Sequence, residues 1–341
     1  MKASRTSFEF LFRPRTLSFC ALVLVFVLVG WLHLATPLLS VLFSCFVLGK
    51  IYWALGRIKV TGKWTTIGVF SVVLLCIAFG LGRFVKQAVV AWPNISESVV
   101  PAVIEWAKSN DIELPFTNYE DLKQMLVDTA KDQTTYLATV ANFAKGATTQ
   151  FVFLIIGVVV AVSIFLNAQM DLDRGRYALK NNLYSLICDE VMLRFSSLYQ
   201  SFSTVMGAQI LISAINTVFT SIFVLAVGLP HALVVIGITF LCGLLPVLGN
   251  LISNTVIVGI SFTISPKMAL WALTFLVVIH KLEYFLNSKI IGDRIRNPIW
   301  LTLLGLILGE KLMGIPGMIL APVILNYLKV EASKIEVPSE K

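Results

Sequence analysis

Residues 228 to 328 hold two apolar stretches that each break in the middle, and this pattern limits the fold more than any other feature. The first runs from His231 to Ile264 and breaks at Pro246-Val247-Leu248-Gly249-Asn250. The second runs from Pro298 to Leu328 and breaks at Met313-Gly314-Ile315-Pro316-Gly317. Each arm has roughly 12 to 15 residues, about 18 to 23 Å of helix, whereas the hydrocarbon core of a bilayer is about 30 Å thick. Such a stretch is either an ordinary span with a kink or a hairpin that dips into the membrane and returns. The hairpin fits the arm length better. Broken backbone at that depth must be buried in protein or line a watery cavity, because lipid offers it no hydrogen bonds. Paired segments interrupted by Gly and Pro are the usual pointer to a transporter's binding site.

The rest of the chain is equally apolar. It is 57% hydrophobic and 13% charged, with mean hydropathy +0.85, where soluble domains are about 25% charged. The expected fold is an all-α polytopic membrane protein. It has about eight membrane helical segments, including the two re-entrant or broken hairpins, plus a small helical extracytoplasmic insert. The net charge of +8 therefore reads as topology rather than nucleic-acid binding. Cys20, Cys45, Cys76, Cys188 and Cys242 are scattered, without a C-x-x-C pair, and indicate neither a disulfide framework nor a zinc site.

In chain order, residues 1–82 carry three spans. The first, Leu17 to Leu34, follows Lys2, Arg5, Arg13 and Arg15. It is longer than a signal-peptide core and no A-x-A site follows it, so it reads as a retained span. His33, Thr36 and Pro37 mark a tight turn before the second span, Leu38 to Leu55. Lys50, Arg57, Lys59 and Lys63 surround the next turn, which places it and the N-terminus in the cytoplasm. Thr65 to Gly82 is the third span. Residues 83–148 hold eight acidic and six basic residues punctuated by Pro93, Pro101 and Pro115, which suits a helical insert outside the membrane. Residues 149–227 supply a fourth span, Thr149 to Leu166, a cytoplasmic surface helix within 169–204, and a fifth span, Val205 to Val227. Residues 228–329 are the motif-rich core with both hairpins, and 330–341 form a polar, cytoplasmic tail.

Polar groups inside these apolar runs are the candidate chemistry. Gln209, Ser213, Asn216 and Thr220 share one face of the fifth span. Such a stripe serves either as glue between helices or as a pathway wall. Asn250 and Asn254 lie one turn apart beyond the first break. Between the hairpins, a long helix from Lys267 to about Ile291 carries His280, Glu283 and Asn287 on one face, with Lys281 turned away. Either these groups sit at membrane depth, where ionisable residues point to function, or the span ends at Ile279 and they meet the headgroups. No H-E-x-x-H, Walker A or G-x-S-x-G motif occurs. An enzyme is not the expected reading, no cofactor is implied, and any active transport draws on an ion gradient.

Four blocks carry a resemblance: GLP at 228–230, GLLPVLGN at 243–250, LEYFLNSKIIGDRI at 282–295 and GEKLMGIPGMILAP at 309–322. In this order and spacing they resemble the autoinducer-2 exporter family, also described as permease-like. The resemblance implies a multi-pass transporter of the bacterial inner membrane. Its members have been linked to export of a signalling furanone, and others to exchange of sodium or lithium for protons. It also implies homo-oligomers, with a pentamer suggested. The sequence departs from the family at Ser288, where a proline is common, and at Glu310-Lys311, which replace small residues. The partners expected are a small hydrophilic solute, or a monovalent cation and a proton, together with the lipid bilayer; a channel or structural assembly is the remaining alternative. The expected pathway takes Asn216 from the fifth span, Pro246, Gly249, Asn250 and Asn254 from the first hairpin, and His280, Glu283 and Asn287 from the long helix. Glu310, Gly314, Pro316 and Gly317 come from the second hairpin, which would enter from the cytoplasm while the first enters from outside.

Overall fold

The computed structural model describes residues 14–60, 62–118, 120–122, 124, 133–167, 183–245, 248–290 and 298–335, and every long element among them is helical. In chain order these are α1 (Pro14–Trp31), α2 (Ala35–Arg57), α3 (Lys63–Ser109), α4 (Gln133–Leu166), α5 (Leu183–Val227), α6 (Ala232–Gly243), α7 (Leu248–Ile264), α8 (Pro266–Ile290) and α9 (Ile299–Ala332). Five, α2, α3, α4, α5 and α9, contain windows long and apolar enough to cross a membrane, and α6, α7 and part of α1 are shorter apolar helices. This is a multi-pass helical membrane protein.

Several helices end in the same way. At the close of α1, His33 takes a left-handed φ of 54°, its N–H bonds Gly30 O at 3.1 Å, and the Leu34 N–H bonds Val29 O at 2.9 Å. These are the two bonds of a Schellman motif, which satisfies carbonyls that the helix would leave orphaned. Lys59 and Asp111, at φ 60° and 54°, close α2 and α3 with the same pair of bonds. The turn expected at His33 is therefore present, with a histidine in place of the usual glycine.

Two expected boundaries are not marked by the end of a helix. The third span was expected to stop at Gly82, with Pro93 and Pro101 as punctuation, but α3 runs for 47 residues through both prolines. Similarly, the surface helix and the fifth span are one 45-residue helix, α5. Between Leu183 and Met206 the chain has neither Gly nor Pro, so hydropathy changes along α5 without any signal that ends a helix.

The residues cluster into two units that interleave along the chain. One comprises Met1–Phe70, Gln150–Gly207 and Asp293–Lys341; the other comprises Ser71–Thr149 and Ala208–Gly292. The core of the first joins Ala35 and Leu42 of α2, Leu198, Phe202 and Met206 of α5, and Leu320, Val323 and Tyr327 of α9. Phe202 is wedged edge-on against Phe43 and Phe46. The core of the second joins Ala91 and Ile95 of α3, Val224 of α5, Val234 and Val235 of α6, Ile257 and Ile260 of α7, and Ala272 and Leu276 of α8. Large apolar side chains such as Leu75, Phe79, Phe151, Ile155 and Val277 stay exposed, as on a surface that faces lipid rather than water.

Both breaks foreseen in the sequence are present. The first stretch is two helices, α6 of 12 residues and α7 of 17, or about 18 and 26 Å long. The second is nominally one helix, but Gly314 within it has φ 64° and ψ −151°, far from helical values. A Cβ placed on Gly305 would lie 2.7 Å from Leu325 Cδ1, and one on Gly309 would lie 2.5 Å from the Gly317 carbonyl oxygen. In an unbroken helix residues 305 and 325 would be about 30 Å apart. The two arms of α9 therefore fold back on each other about Gly314. Length and hydropathy alone make α9 a full span; its own contacts make it a hairpin.

Candidate functional site

The first hairpin turns where α6 stops, and the four carbonyls at its end all find donors. Ser213 Oγ donates to Phe240 O at 2.8 Å, and Gln209 Nε2 donates to Gly243 O at 2.7 Å. The N–H groups of Leu244 and Leu245 take Leu241 O and Cys242 O. A helix end buried among apolar side chains needs such partners, and α5 supplies two of them. The polar stripe thus acts, in its first two members, as a cap on the broken helix. Of the others, Thr220 is buried, and Asn216 is 7% exposed with its Oδ1 unpartnered among the described residues. Removing either cap leaves a carbonyl without its donor, at a cost of about 1–3 kcal/mol. We expect Gln209→Ala and Ser213→Ala each to lower the melting temperature in detergent, whereas Thr255→Ala, whose exposed hydroxyl bonds only its own helix, should not.

Just past the turn, Gly249 is buried against the end of α6, and the next residue reaches across to α8. Asn250 Nδ2 donates to Glu283 Oε2 at 2.7 Å. His280 Nδ1 lies 3.8 Å from the same oxygen, with His280 66% and Glu283 14% exposed. A hairpin tip, a largely buried carboxylate and an imidazole are therefore in one place. Asn254 sits half-buried one turn along α7. Pro246 lies outside the described residues, and so does the side chain of Asn287, although its backbone belongs to α8. This cluster offers a carboxylate on Glu283 to a cation and amide groups to a polar solute.

The candidates on the second hairpin belong to the other unit. Gly314 is the kink itself, Gly317 is buried against Gly309, Pro316 is half-buried, and Glu310 is exposed on the first arm. That unit also holds a polar centre that the sequence does not announce. Glu331, 4% exposed, pairs with Arg194, accepts from Ser197 Oγ at 2.7 Å and from Lys334 Nζ at 2.6 Å. Arg194 also reaches Glu190 at 2.7 Å. A buried carboxylate needs this many partners to offset its desolvation. The network ties the end of α9 to α5 across 137 positions of sequence, and no local pattern marks it.

A helical multi-pass protein with two broken-helix hairpins, the tip of one bonded to a largely buried carboxylate on the next helix, belongs to the transporter class of membrane proteins. Residues 17–334 match the AI-2E family transporter family, and the chain belongs to it. It is also similar to a Bacillus subtilis (strain 168) protein named "Putative transport protein YdbI", with 26% identity over 196 residues. That match covers 57% of this chain and 54% of the relative, so the chain spans about half the length of the curated relative it matches.

Proposed function

We propose that this chain is a secondary transporter that exports a small hydrophilic solute such as autoinducer-2 across a bacterial inner membrane. Both termini are then cytoplasmic, residues 83–148 lie outside, and homo-oligomers, a pentamer among them, are the working form. The observation that carries this reading is the bond from Asn250, at the tip of the first hairpin, to the largely buried Glu283. A carrier needs a polar site near the bilayer midplane, built where helices are broken, that opens to either side in turn. α6, at about 18 Å, is too short to cross the hydrocarbon core. A re-entrant hairpin would put Asn250 near mid-membrane, and the second hairpin would enter from the opposite face. The similarity to a protein named for transport agrees with this reading.

A sodium or lithium for proton antiporter is the second reading, and Asn216 favours it. Its buried Oδ1, without a partner among the described residues, is the type of oxygen that a dehydrated monovalent cation takes up. Proteoliposomes holding the full chain separate these readings. A solute carrier gives counterflow of labelled against unlabelled furanone, and an antiporter gives sodium-dependent proton movement. A channel passes solute without counterflow, and that result, or no movement of any of the three, overturns the proposal. The orientation has its own check: in a cysteine-free background, a cysteine at Ser109 should label from outside and one at Gly56 from the cytoplasm.

A further inference from the structure

A cavity of about 640 Å³ opens between α3 and the start of α6, apart from the Asn250–Glu283 cluster. Arg83 and Lys86 of α3 and His231 ahead of α6 line it, with the amides of Gln87 and Asn94 beside them. None of the lining residues among those described is acidic. The Arg83 guanidinium lies over the Phe79 ring, 5.9 Å from its centre, and no described acidic group pairs with either cation. The two helices are packed closely here, since a Cβ on Gly237 would lie 2.4 Å from the Phe84 ring. The cations therefore stand on a helix packed against α6, with their own side chains exposed.

The start of α6 faces the same space. His231 has a left-handed φ of 56° and makes no side-chain cap bond, and the first turn holds no acidic residue. The opening amides of a helix carry a partial positive charge that favours an anion, here added to two cations. The level in the membrane narrows the ligand further. Thr65 to Gly82 is an unbroken run of uncharged, mainly apolar residues, about 27 Å of helix, close to the thickness of the hydrocarbon core. Arg83 follows it directly, so with Thr65 to Gly82 as a span of the proposed transporter the cavity falls where lipid phosphates meet water.

We propose that this cavity binds a phosphate group, supplied either by an anionic lipid headgroup or by a phosphorylated solute in the adjoining water. Arginine and lysine together suit it, the first as a planar fork for phosphate oxygens and the second as a point charge. Basic residues that merely snorkel to an interface need no cavity, no amides and no helix start between them.

The test uses the purified full chain in detergent and reads affinity from thermal shift. One titration adds inorganic phosphate against chloride at equal ionic strength. The other adds phosphatidylglycerol against phosphatidylcholine in mixed micelles. Stabilisation by phosphatidylglycerol alone assigns the lipid source, and stabilisation by inorganic phosphate as well assigns a site open to solutes. In either case the paired substitution Arg83→Gln and Lys86→Gln should weaken the response about tenfold or more. Arg83→Lys, which keeps the charge but loses the fork, should weaken it less than the pair does. His231→Asn, which tolerates the left-handed backbone, gives a separate variant in case the pair fails to fold, and should weaken the response severalfold. Arg57→Gln, on α2, should leave it unchanged. A wild-type chain indifferent to both probes, or variants that respond as the parent does, would overturn the proposal.

Discussion

Glu283→Gln is expected to insert and assemble like the parent chain and yet lose coupled transport, down to the leak of protein-free liposomes. Glutamine keeps the shape of the side chain, and its amide oxygen still accepts from Asn250 Nδ2, now 2.7 Å from Glu283. One charge-assisted bond becomes a neutral one, a change of about 1 kcal/mol in stability. What the substitution removes is the ability to alternate between a protonated and a charged state. That ability is the usual role of an acidic group in a membrane pathway, and an amide cannot replace it. His280 has a lesser part. It is 66% exposed and 3.8 Å from the carboxylate, too far for a hydrogen bond. His280→Asn should therefore leave the maximal flux nearly intact. Flux in proteoliposomes, with gel filtration and melting curves on the same preparations, measures all of this. Full transport with an unaltered pH profile in Glu283→Gln would show that the carboxylate is only a structural partner of Asn250.

How much of this was legible beforehand depended on the kind of signal. The hairpin breaks were readable because Pro and Gly act locally: Gly314 stands at the kink, with a backbone that only glycine adopts readily. The meeting of Asn250 with Glu283 was half-readable. Periodicity put His280 and Glu283 on one face of α8, but only the fold brings the tip of α7 to them. The stripe on α5 was visible as a face, while its partner, the last turn of α6, was not. Pro93 and Pro101 misled in the other direction. A proline removes one N–H and crowds one carbonyl, and α3 absorbs both defects within 47 residues. The joint between surface helix and fifth span misled for a different reason, because a change in what surrounds a helix does not end it. Glu331 and Arg194 were beyond reach, since nothing within either segment specifies a partner 137 positions away.

The other large effect concerns the glycines that let the hairpins close. Gly249 and Gly317 are the glycines at which a single methyl group would strike backbone at the shortest distances. On Gly249 it would lie 1.7 Å from Cys242 O and 2.4 Å from the same carbonyl carbon; on Gly317, 2.1 Å from Gly309 O and 2.5 Å from Met313 Cβ. Ordinary contact begins at 3.4 Å. Three of these four obstacles are backbone atoms, which cannot swing aside as a side-chain tip can, so the arms must separate. Overpacking in a core usually costs about 1–3 kcal/mol because neighbours adjust. Here separation of the first hairpin would also pull the α6 carbonyls from Gln209 and Ser213. Gly249→Ala and Gly317→Ala should accordingly exceed about 4 kcal/mol, in the exceptional class, and appear as loss of folded protein in detergent. Gly314→Ala meets nothing within 4 Å and suffers only from its backbone angles, about 1–3 kcal/mol. Gly56→Ala, in a helix with open space around it, should be neutral or stabilising by up to about 1 kcal/mol. Yield and melting temperature across the four variants should fall into that order. Gly249→Ala melting with Gly56→Ala would mean that the tip of the first hairpin is not packed against α6, and Asn250 would then have no fixed position from which to reach Glu283.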